Sequence, residues 1–443
     1  MSVARTVCQG FIAVIIIGAI LLMLPISISN GNWSNPVTAL FTATSAVCVT
    51  GLSVVNVGEY YSFWGQFFLL LLVQVGALGY MTATTILLLL LGRKFRLREK
   101  VALQQSLEQV GLAGVELLIK SILATTIVFE LTGILLLLFV FVPNYGLKDG
   151  LWYSIFHSIN AFNNAGFSLY TDGFIKYAKS PLLNFVITGL IIFGGLGYQV
   201  IMEMYLWLKS RWQKEQVFHT FSLHFKVVTN TTIFLLIFGV ITFFIAEFNN
   251  PQTLESFNLG QKLIAVWFQS VTTRTAGFNT IDIGQLTDAG LFITIVLMFI
   301  GASPGSTGGG IKTTTFRILF NSTKAALQGR EKVLCYQRKI PVIVIIKAIG
   351  VVFASASLVA IATTLAAFAD PELESIQIFF EVVSAFATVG LSTGVTSNFT
   401  IPGQLVLILT MYIGRVGVLL LVSTIFAEQN PSAIQYPEEN LFV

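Results

Sequence analysis

The stretch Ala46-Val47-Cys48-Val49-Thr50-Gly51-Leu52-Ser53 decides the fold, because its pattern recurs three more times along the chain. Each copy has a glycine followed by Leu or Phe and then by Ser or Asn, with an aromatic residue ten positions before the glycine. The other copies are Phe162-Asn163-Asn164-Ala165-Gly166-Phe167-Ser168, Thr273-Arg274-Thr275-Ala276-Gly277-Phe278-Asn279 and Phe386-Ala387-Thr388-Val389-Gly390-Leu391-Ser392. The glycines are 115, 111 and 113 residues apart, and such a period indicates a repeated structural unit. We predict that four units of similar length make up the chain and that their glycines meet around one pore.

The composition indicates a polytopic membrane protein. Of the 443 residues, 55% are hydrophobic and only 10% are charged. The apolar stretches reach the ~20 residues that a membrane-spanning helix needs, so a set of soluble domains is excluded. Cys8, Cys48 and Cys335 form no C-x-x-C pair and the three histidines are scattered, so we expect no disulfide framework, metal site or cofactor. The apolar segment near the N-terminus lacks a small-residue cleavage site and is expected to be a retained helix.

Every unit has the same predicted order: a spanning helix, a half-helix, an irregular return through the glycine, and a second spanning helix. The first half-helix, residues 37–47, is only eleven residues long and therefore too short to cross a bilayer. The predicted fold is an all-α membrane protein with four tandem repeats and eight spanning helices around one central pore. The predicted repeats are 1–100, 101–215, 216–335 and 336–443. The predicted first helices are 8–28, 116–142, 226–247 and 342–368, the half-helices 37–47, 150–162, 261–272 and 374–386, and the second helices 63–92, 182–208, 289–328 and 403–427.

Lysine and arginine set the predicted orientation. Most of them follow the second helices, as in the basic cluster 93–100, whereas the loops beside the half-helices hold few. We therefore expect the basic loops and both termini in the cytoplasm and the half-helices to enter from outside. The second helices also carry a G-x-x-G spacing, for which close helix packing is the preferred role. These glycines are Gly76 and Gly79, Gly194 and Gly197, and Gly414 and Gly417, with Gly301 in the corresponding place.

The four glycine segments are the candidate selectivity filter. Irregular backbone at membrane depth is tolerated only where it is buried or lines water, so four such segments need a shared wet axis. Rings of backbone carbonyls can replace the hydration shell of K⁺, and the segments contain no Asp or Glu that would form a carboxylate ring. A single such glycine would more simply turn a tight loop, but four at equal spacing favour a cation filter. The predicted filter residues are Val49, Thr50, Gly51, Asn164, Ala165, Gly166, Thr275, Ala276, Gly277, Thr388, Val389 and Gly390, with the carbonyls of the four glycines as K⁺ ligands.

Arg274 lies three residues before Gly277, where a cation facing the pore would repel K⁺. We expect its side chain to point behind the filter and to pair with an acid, and we take Glu381 on the fourth half-helix as that partner.

A second functional candidate interrupts the second helix of the third unit. The run Ser303-Pro304-Gly305-Ser306-Thr307-Gly308-Gly309-Gly310 cannot continue a helix. A phosphate-binding loop is an alternative, because Lys312 and Thr313 follow, but the spacing is one residue off and no strand precedes it. We predict a gate in the cytoplasmic half of the pore. The predicted gate residues are Gly305, Ser306, Thr307, Gly308, Gly309, Gly310 and Arg415.

Arg415 belongs to this gate as a charge inside the last apolar helix, between Gly414 and Gly417. Such residues are costly and usually functional. Two interpretations stay open: an electrostatic barrier across the pore below the filter, and a salt bridge that packs helices.

With these motifs in place, the chain resembles the Trk/Ktr/HKT superfamily of K⁺ transporters. Within it, the chain is similar to the KtrB group, the membrane subunits of bacterial Ktr systems, and to the related NtpJ proteins. The resemblance covers nearly the whole chain and rests on the four glycine segments, the glycine-rich run and Gly414-Arg415. It implies K⁺ uptake through the cell membrane, stimulated by Na⁺ in many members, by a homodimer with one pore per subunit. It also implies a cytosolic ring of KtrA-like, RCK-type subunits that binds ATP or ADP. Some members with Ser in the first filter pass Na⁺, so Gly51 favours K⁺.

Two other classes of protein remain as alternatives. A secondary carrier with inverted repeats and broken helices would explain the interruption in the third unit, but four parallel repeats with re-entrant segments are not typical of carriers. An intramembrane hydrolase would need a nucleophile beside a base, and Ser306 and His157 lie in different units. We therefore expect no enzyme activity.

Overall fold

The computed structural model of the chain describes residues 3–79, 115–213 and 220–418. The predicted basic cluster 93–100 and the predicted ends of the first and last second helices, 80–92 and 419–427, lie outside these ranges. The α-helices of the described residues are α1 Val3–Met23, α2 Pro36–Val47, α3 Val57–Tyr60, α4 Phe63–Leu78, α5 Val115–Phe162, α6 Pro181–Leu196, α7 Tyr198–Trp212, α8 Leu223–Glu247, α9 Leu259–Thr272, α10 Asp288–Phe299, α11 Thr313–Leu327, α12 Val342–Ala369, α13 Ser375–Phe386 and α14 Ile401–Val416. A short antiparallel hairpin, β1 Leu334–Cys335 and β2 Arg338–Lys339, precedes α12. The fold is that of an all-α membrane protein.

The same order of elements occurs in each quarter of the chain. The first helices are α1, the N-terminal part of α5, α8 and α12, and the half-helices are α2, the C-terminal part of α5, α9 and α13. The second helices are α4, α6, α10 and α14. In α5 the first helix and the half-helix are joined at Gly146, whose φ of 76° is not helical, shortly after Pro143. Positive φ is accessible to glycine at little cost, so this residue turns the chain from one helix into the other.

Local capping signals explain where the half-helices and second helices begin. The Asn35 side chain accepts a hydrogen bond from the Val37 amide, and Pro36 occupies the first helical position. At α9 the side chains of Asn258 and Gln261 form a reciprocal capping box. The second helices α4 and α10 begin after a capping Ser62 and Thr287 in the same way.

Helix lengths agree only partly with the prediction of eight spanning helices. Within the described residues, four helices are long and apolar enough to cross a membrane: Arg5–Met23, Ser121–Phe162, Leu223–Glu247 and Val342–Ala369. Each contains a first helix, and Ser121–Phe162 also includes the half-helix of the second quarter. The pair α6 and α7 would add a fifth span if its bend of 103° is counted within one span. The other second helices have 12 to 16 described residues.

The prediction of one continuous helix over 182–208 is wrong. The helix breaks at Gly197, which has a φ of 92°. A Cβ at this position would lie 2.7 Å from the carbonyl oxygen of Pro304, and the Tyr198 amide donates a hydrogen bond to the Gly305 carbonyl. The glycine-rich run therefore lies against the point where a straight helix would continue, and α7 turns away from it.

The G-x-x-G glycines have two different roles. The first glycine of each pair packs closely, as predicted: a Cβ on Gly76, Gly194 or Gly414 would collide with the last carbonyls of the half-helices. Those carbonyls belong to Val47, Phe162 and Phe386 respectively. The second glycines, Gly79, Gly197 and Gly417, have φ values of 77°, 92° and 92° and end their helices. Gly197 packs against Pro304, but no described atom lies within 4 Å of a Cβ on Gly79 or Gly417, so the predicted packing role is wrong for these two. Gly301 also differs, because it abuts the carbonyl of Gly309 in the glycine-rich run.

Helix packing closes the four quarters into a cycle. The second helix of each quarter contacts the half-helix of the next: α4 contacts α5, α6 contacts α9, and α10 contacts α13. The last second helix, α14, contacts the first half-helix, α2. Because the final contact returns to the start of the chain, the half-helices surround one central axis.

Candidate functional site

Four glycines form a closed ring on this axis, and we call Gly51, Gly166, Gly277 and Gly390 the glycine ring. The backbones approach so closely that no side chain fits between them. A Cβ built on each glycine would lie too close to the Cα of the next: 2.9 Å for Gly51 to Gly166, 3.0 Å for Gly166 to Gly277, 3.2 Å for Gly277 to Gly390, and 3.0 Å for Gly390 to Gly51. Glycine is therefore required at all four positions, both by space and by conformation.

The backbone conformation before each ring glycine is the same four times. The ring glycines have φ values of 95°, 70°, 79° and 89°, and the residue two positions earlier is also left-handed. These earlier residues are Val49 at 58°, Asn164 at 57°, Thr275 at 68° and Thr388 at 48°. Three of them are β-branched, for which positive φ is strained and needs support from the surroundings.

The ends of the half-helices provide that support. In the first quarter, the Thr50 amide donates to the Ser45 carbonyl at 2.7 Å and the Gly51 amide donates to Ser45 Oγ at 3.0 Å. Ser384 receives the same two bonds in the fourth quarter, at 2.8 and 3.1 Å. Both serines lie six positions before their ring glycine. This shared spacing could have identified them, but only after the ring glycines were known.

A buried polar side chain nine positions before a ring glycine braces the segment that follows the ring. Glu381 accepts hydrogen bonds from Ser392 Oγ at 2.6 Å, the Thr393 amide at 3.0 Å and Thr396 Oγ1 at 2.8 Å. In the second quarter the equivalent residue is His157, whose Nε2 accepts from the Leu169 amide at 3.3 Å. Both side chains are fully buried, so they are structural braces of the same type.

The predicted ion pair between Arg274 and Glu381 is wrong. Arg274 points behind the ring, as expected, but its guanidinium donates to the carbonyls of Thr232 on α8 and Gly301, at 3.4 and 3.2 Å. Across residues 3–79, 115–213 and 220–418, no acidic side chain is seen to balance it. Glu381 does not pair with Arg274, because its oxygens accept the three hydrogen bonds that fix the fourth segment.

The glycine-rich run lies directly against one side of the ring segments. A Cβ on Gly308 would collide with Oγ1 of Thr275, and one on Gly309 with Oγ1 of Thr388. The run is tied to α6 through the Thr307 amide, which donates to the Gly194 carbonyl at 3.2 Å. Lys312 Nζ donates to the Gly308 carbonyl at 3.0 Å, so this lysine helps to hold the run itself. The phosphate-loop alternative finds no support in this arrangement.

Arg415 connects the run to two other quarters. Its Nη1 donates to the Thr307 carbonyl at 2.5 Å and its Nη2 to the Gly76 carbonyl at 2.6 Å. Gly76 is in the last turn of α4, where the helix dipole favours a cation. No acid is seen to pair with Arg415 in the described part of the chain, so the structure does not support the salt-bridge interpretation.

The fold and the site together define a polytopic all-α membrane protein in which re-entrant half-helices surround a glycine-lined axis, an architecture suited to moving ions. The chain belongs to the TrkH family of cation transport proteins, whose family model matches residues 4–435. Proteins of this family are transporters and not enzymes.

Three full-length relatives place the chain in the KtrB-type group of that family. It is 41% identical to the Ktr system potassium uptake protein B of Bacillus subtilis (strain 168), over 98% of this chain and 95% of the relative. It is 37% identical to the protein of the same name from Vibrio alginolyticus, over 99% and 94%. It is 36% identical to the potassium/sodium uptake protein NtpJ of Enterococcus hirae, over 100% and 97%.

A solved structure shows the same fold. The crystal structure of the potassium transporter TrkH from Vibrio parahaemolyticus superposes with a TM-score of 0.71 at 16% identity, over 95% of this chain and 85% of that one.

Proposed function

We propose that this chain is the ion-translocating subunit of a Ktr-type system for potassium uptake. Its full-length relatives in Bacillus subtilis and Vibrio alginolyticus are named as potassium uptake proteins of Ktr systems. The observation that carries the proposal is the closed glycine ring, since four backbone segments with one shared conformation meet at one axis.

In this proposal the glycine ring and the two residues before each glycine are the selectivity filter, and backbone carbonyls of the ring bind K⁺. The segments contribute no carboxylate, so neutral carbonyl dipoles replace the water of the ion. The close approach of consecutive glycines supports this role, because a side chain at any of the four positions would collide with the backbone of the next segment and disturb the ring.

The glycine-rich run Gly305–Gly310 is the proposed gate, and Arg415 is the proposed barrier. Gly308 and Gly309 lie against the threonines of two filter segments, and this contact with the ring segments supports a gate at that position. Arg415 holds the Thr307 carbonyl of this run, and its positive charge, not paired with an acid in the described residues, would oppose the passage of a cation.

The wider system is part of the same proposal. We place the chain in the plasma membrane as a homodimer with both termini in the cytoplasm, stimulated by Na⁺ and controlled by a KtrA-like, RCK-type ring that binds ATP or ADP. The naming of two relatives as component B of a system supports additional subunits. The basic residues Lys209 and Arg211, exposed at the end of α7, support a cytoplasmic position for that end.

The test is cation flux into proteoliposomes that contain this chain, comparing K⁺, Rb⁺ and Na⁺. We expect K⁺ and Rb⁺ flux well above Na⁺ flux, and at least a tenfold loss of discrimination in Gly51→Ser and Gly277→Ser. Gly31→Ser is the matched control, because Gly31 also has a positive φ of 72° but has no neighbouring atom within 4 Å of its Cβ position. It carries the same conformational cost without obstructing the ring.

Flux that discriminates equally in all variants would rule out the glycine ring as the filter. A closed gate would prevent flux through the chain in the absence of its partners. The thermal stabilisation of the same proteins by K⁺ should therefore be measured as well. Stabilisation by K⁺ in the wild type and in Gly31→Ser, but not in Gly51→Ser, supports the filter without requiring the gate to open.

A further inference from the structure

A small cavity lies between the second and third quarters, beside the arginine that points behind the glycine ring. The space open to the centre of a water-sized particle is ≈ 20 Å³, and one water needs about 10–15 Å³ by this measure. The cavity therefore has room for one small particle. Its two polar side chains are Arg274 and Thr232. The other lining residues are apolar or glycine: Ile191, Ile192, Gly195, Leu236, Val271 and Ala302.

Arg274 brings a positive charge to this cavity, and no acid of the described residues balances it. Its side chain is only 7% exposed. The guanidinium has five N–H donors, and its bonds to the carbonyls of Thr232 and Gly301 are 3.4 and 3.2 Å long. Charge-assisted bonds are typically about 2.7–2.9 Å. Its Nε has no hydrogen-bond partner, so the group lacks both an acceptor and a counter-charge.

The second polar group of the cavity is the hydroxyl of Thr232 on α8. This residue is also 7% exposed, and its Oγ1 has no hydrogen-bond partner. A threonine hydroxyl can rotate to donate to a ligand. Because Nη1 of Arg274 donates to the carbonyl of the same threonine, the hydroxyl and the guanidinium lie in one part of the cavity. Two unpartnered donors, one positive charge and a space for one particle therefore occur together.

We propose that this cavity is a binding site for one small monovalent anion, chloride, held by Arg274 and Thr232. One chloride neutralises one guanidinium, and it accepts hydrogen bonds from the Nε–H and the hydroxyl. A water molecule would accept the same hydrogen bonds but would leave the charge unbalanced in an apolar lining. A divalent anion such as sulfate is larger than the cavity and would leave an excess negative charge.

The anion site is connected to the ring segments through the backbone. Arg274 directly precedes Thr275, and Gly277 of the ring follows three residues after Arg274. A guanidinium without a counter-charge raises the energy of a cation on the axis, since charges interact strongly where the dielectric constant is low. Bound chloride reduces this repulsion, so occupancy of the ring by K⁺ should increase with chloride. This consequence rests on the proposed function, whereas the anion site does not.

The experiment measures the melting temperature of the purified full chain in lipid nanodiscs while choline chloride replaces choline gluconate. Gluconate is too large for the cavity. Because no K⁺ is present, failure of the glycine ring as a K⁺ filter would not change the result. We expect a saturable rise in the melting temperature of the wild type, which bromide reproduces and sulfate does not. Arg274→Gln should abolish this rise.

Two milder variants test the site if Arg274→Gln does not fold. Thr232→Val removes the hydroxyl with little change of shape and should raise the chloride midpoint about tenfold, because a hydrogen bond to a charged group is lost. Gly195→Ala should raise the midpoint at least tenfold by taking up space in the cavity. A Cβ on Gly195 meets no atom closer than 3.4 Å and lies 4.0 Å from Cβ of Ala302, another lining residue, so the fold can accept it.

Each of these variants has a matched control outside the cavity. Thr231→Val changes the neighbouring threonine of α8, whose hydroxyl is also buried and without a hydrogen-bond partner. Gly189→Ala changes a glycine of α6 with no atom within 4 Å of its Cβ position. Both controls should keep the wild-type midpoint. Absence of a chloride response in the wild type, as expected if water or a lipid headgroup occupies the cavity, would overturn the proposal. Midpoints that stay unchanged in Thr232→Val and Gly195→Ala, or that rise equally in the controls, would also overturn it.

Discussion

The guanidinium of Arg274 is held behind the glycine ring by two backbone carbonyls and not by a carboxylate. This arrangement ties α8 to Gly301, which lies two residues before the start of the glycine-rich run. A large buried side chain at such a junction contributes to the stability of the fold through its volume as well as its hydrogen bonds.

The first prediction concerns this residue. Arg274→Ala should destabilise the fold by about 2–4 kcal/mol, because a cavity forms behind the ring and both carbonyls lose their donor. The measurement is the temperature at which half of the monodisperse protein is lost on size-exclusion chromatography. Arg330→Ala, at an exposed position, is the control and should leave this temperature unchanged. If Arg274→Ala behaved like the control, the structural role of Arg274 would be refuted.

At this scale the sequence predicts the ring glycines but not the residues that hold them. The period identifies Gly51, Gly166, Gly277 and Gly390 because glycine and its neighbours recur. It does not identify the left-handed conformation of Val49, since β-branched residues rarely adopt it. The choice of Glu381 as partner for Arg274 failed for a related reason. A buried cation can be satisfied by carbonyls, which every residue carries and no sequence pattern marks.

Among the elements, the joint between first and second helices is built alike in the third and fourth quarters. Glu247, the last residue of α8, accepts hydrogen bonds from the Thr287 amide at 3.0 Å and from its hydroxyl at 2.7 Å. Asp370, directly after α12, accepts from the Thr400 amide at 2.7 Å. In both joints a glycine lies three residues after the threonine, at Gly290 or Gly403. Because it has no side chain, the carboxylate can approach the start of the second helix.

The second prediction tests the joint of the fourth quarter. Asp370→Ala should lower the free energy of unfolding by about 1–2 kcal/mol, because an amide at the start of α14 loses its acceptor. Glu372→Ala, an exposed acid two residues away, provides the comparison. The two variants would be compared by their melting temperatures in the same detergent. Equal temperatures would show that the carboxylate of Asp370 does not stabilise the start of α14.

The third prediction concerns the glycine-rich run and Arg415. Arg415→Ala and deletion of residues 305–309 should each raise K⁺ flux of the chain alone, by removing the barrier charge or the segment next to the ring. Because Arg415 binds the Thr307 carbonyl, the two changes act on one unit, and combining them should add little. Tracer flux into proteoliposomes is the measurement, with Arg330→Ala as the control. Flux at the wild-type level in both variants would exclude the gate.

The elements themselves are only partly readable from the sequence. For most of the half-helices, the predicted first and last residues lie within one or two positions of the observed ones. Caps such as Asn35 and Asn258 mark where these helices begin. The break at Gly197 was missed because apolar residues such as Ile201 and Leu206 continue beyond it, and a single positive φ has no hydropathy signal. What distinguishes this glycine is its contact with Pro304, about a hundred residues later in the chain.

For the whole molecule, the period of the sequence already implies the cyclic arrangement. Four equal units with equivalent glycines can place those glycines on one axis only if the units are related by rotation about it. The structure adds the direction of the cycle, in which each second helix packs on the half-helix of the next quarter. This order could not be derived from the sequence, because it depends on contacts between units and not within them.

The last prediction separates a channel-like pore with parallel repeats from a carrier with inverted repeats. Because the same contact pattern and the same backbone conformation recur in every quarter, all four must have one orientation, whereas inverted repeats would alternate. Single cysteines should be introduced at exposed positions, since Cys8, Cys48 and Cys335 are buried. The positions on the half-helix side are Asn32, Asp172, Gln252 and Ser397, and those on the opposite side are Arg211 and Arg330. We expect an impermeant maleimide to label the first four in intact cells and the other two only after permeabilisation. Labelling that alternates from one quarter to the next would exclude the parallel arrangement, and with it a single ring of four equivalent glycines.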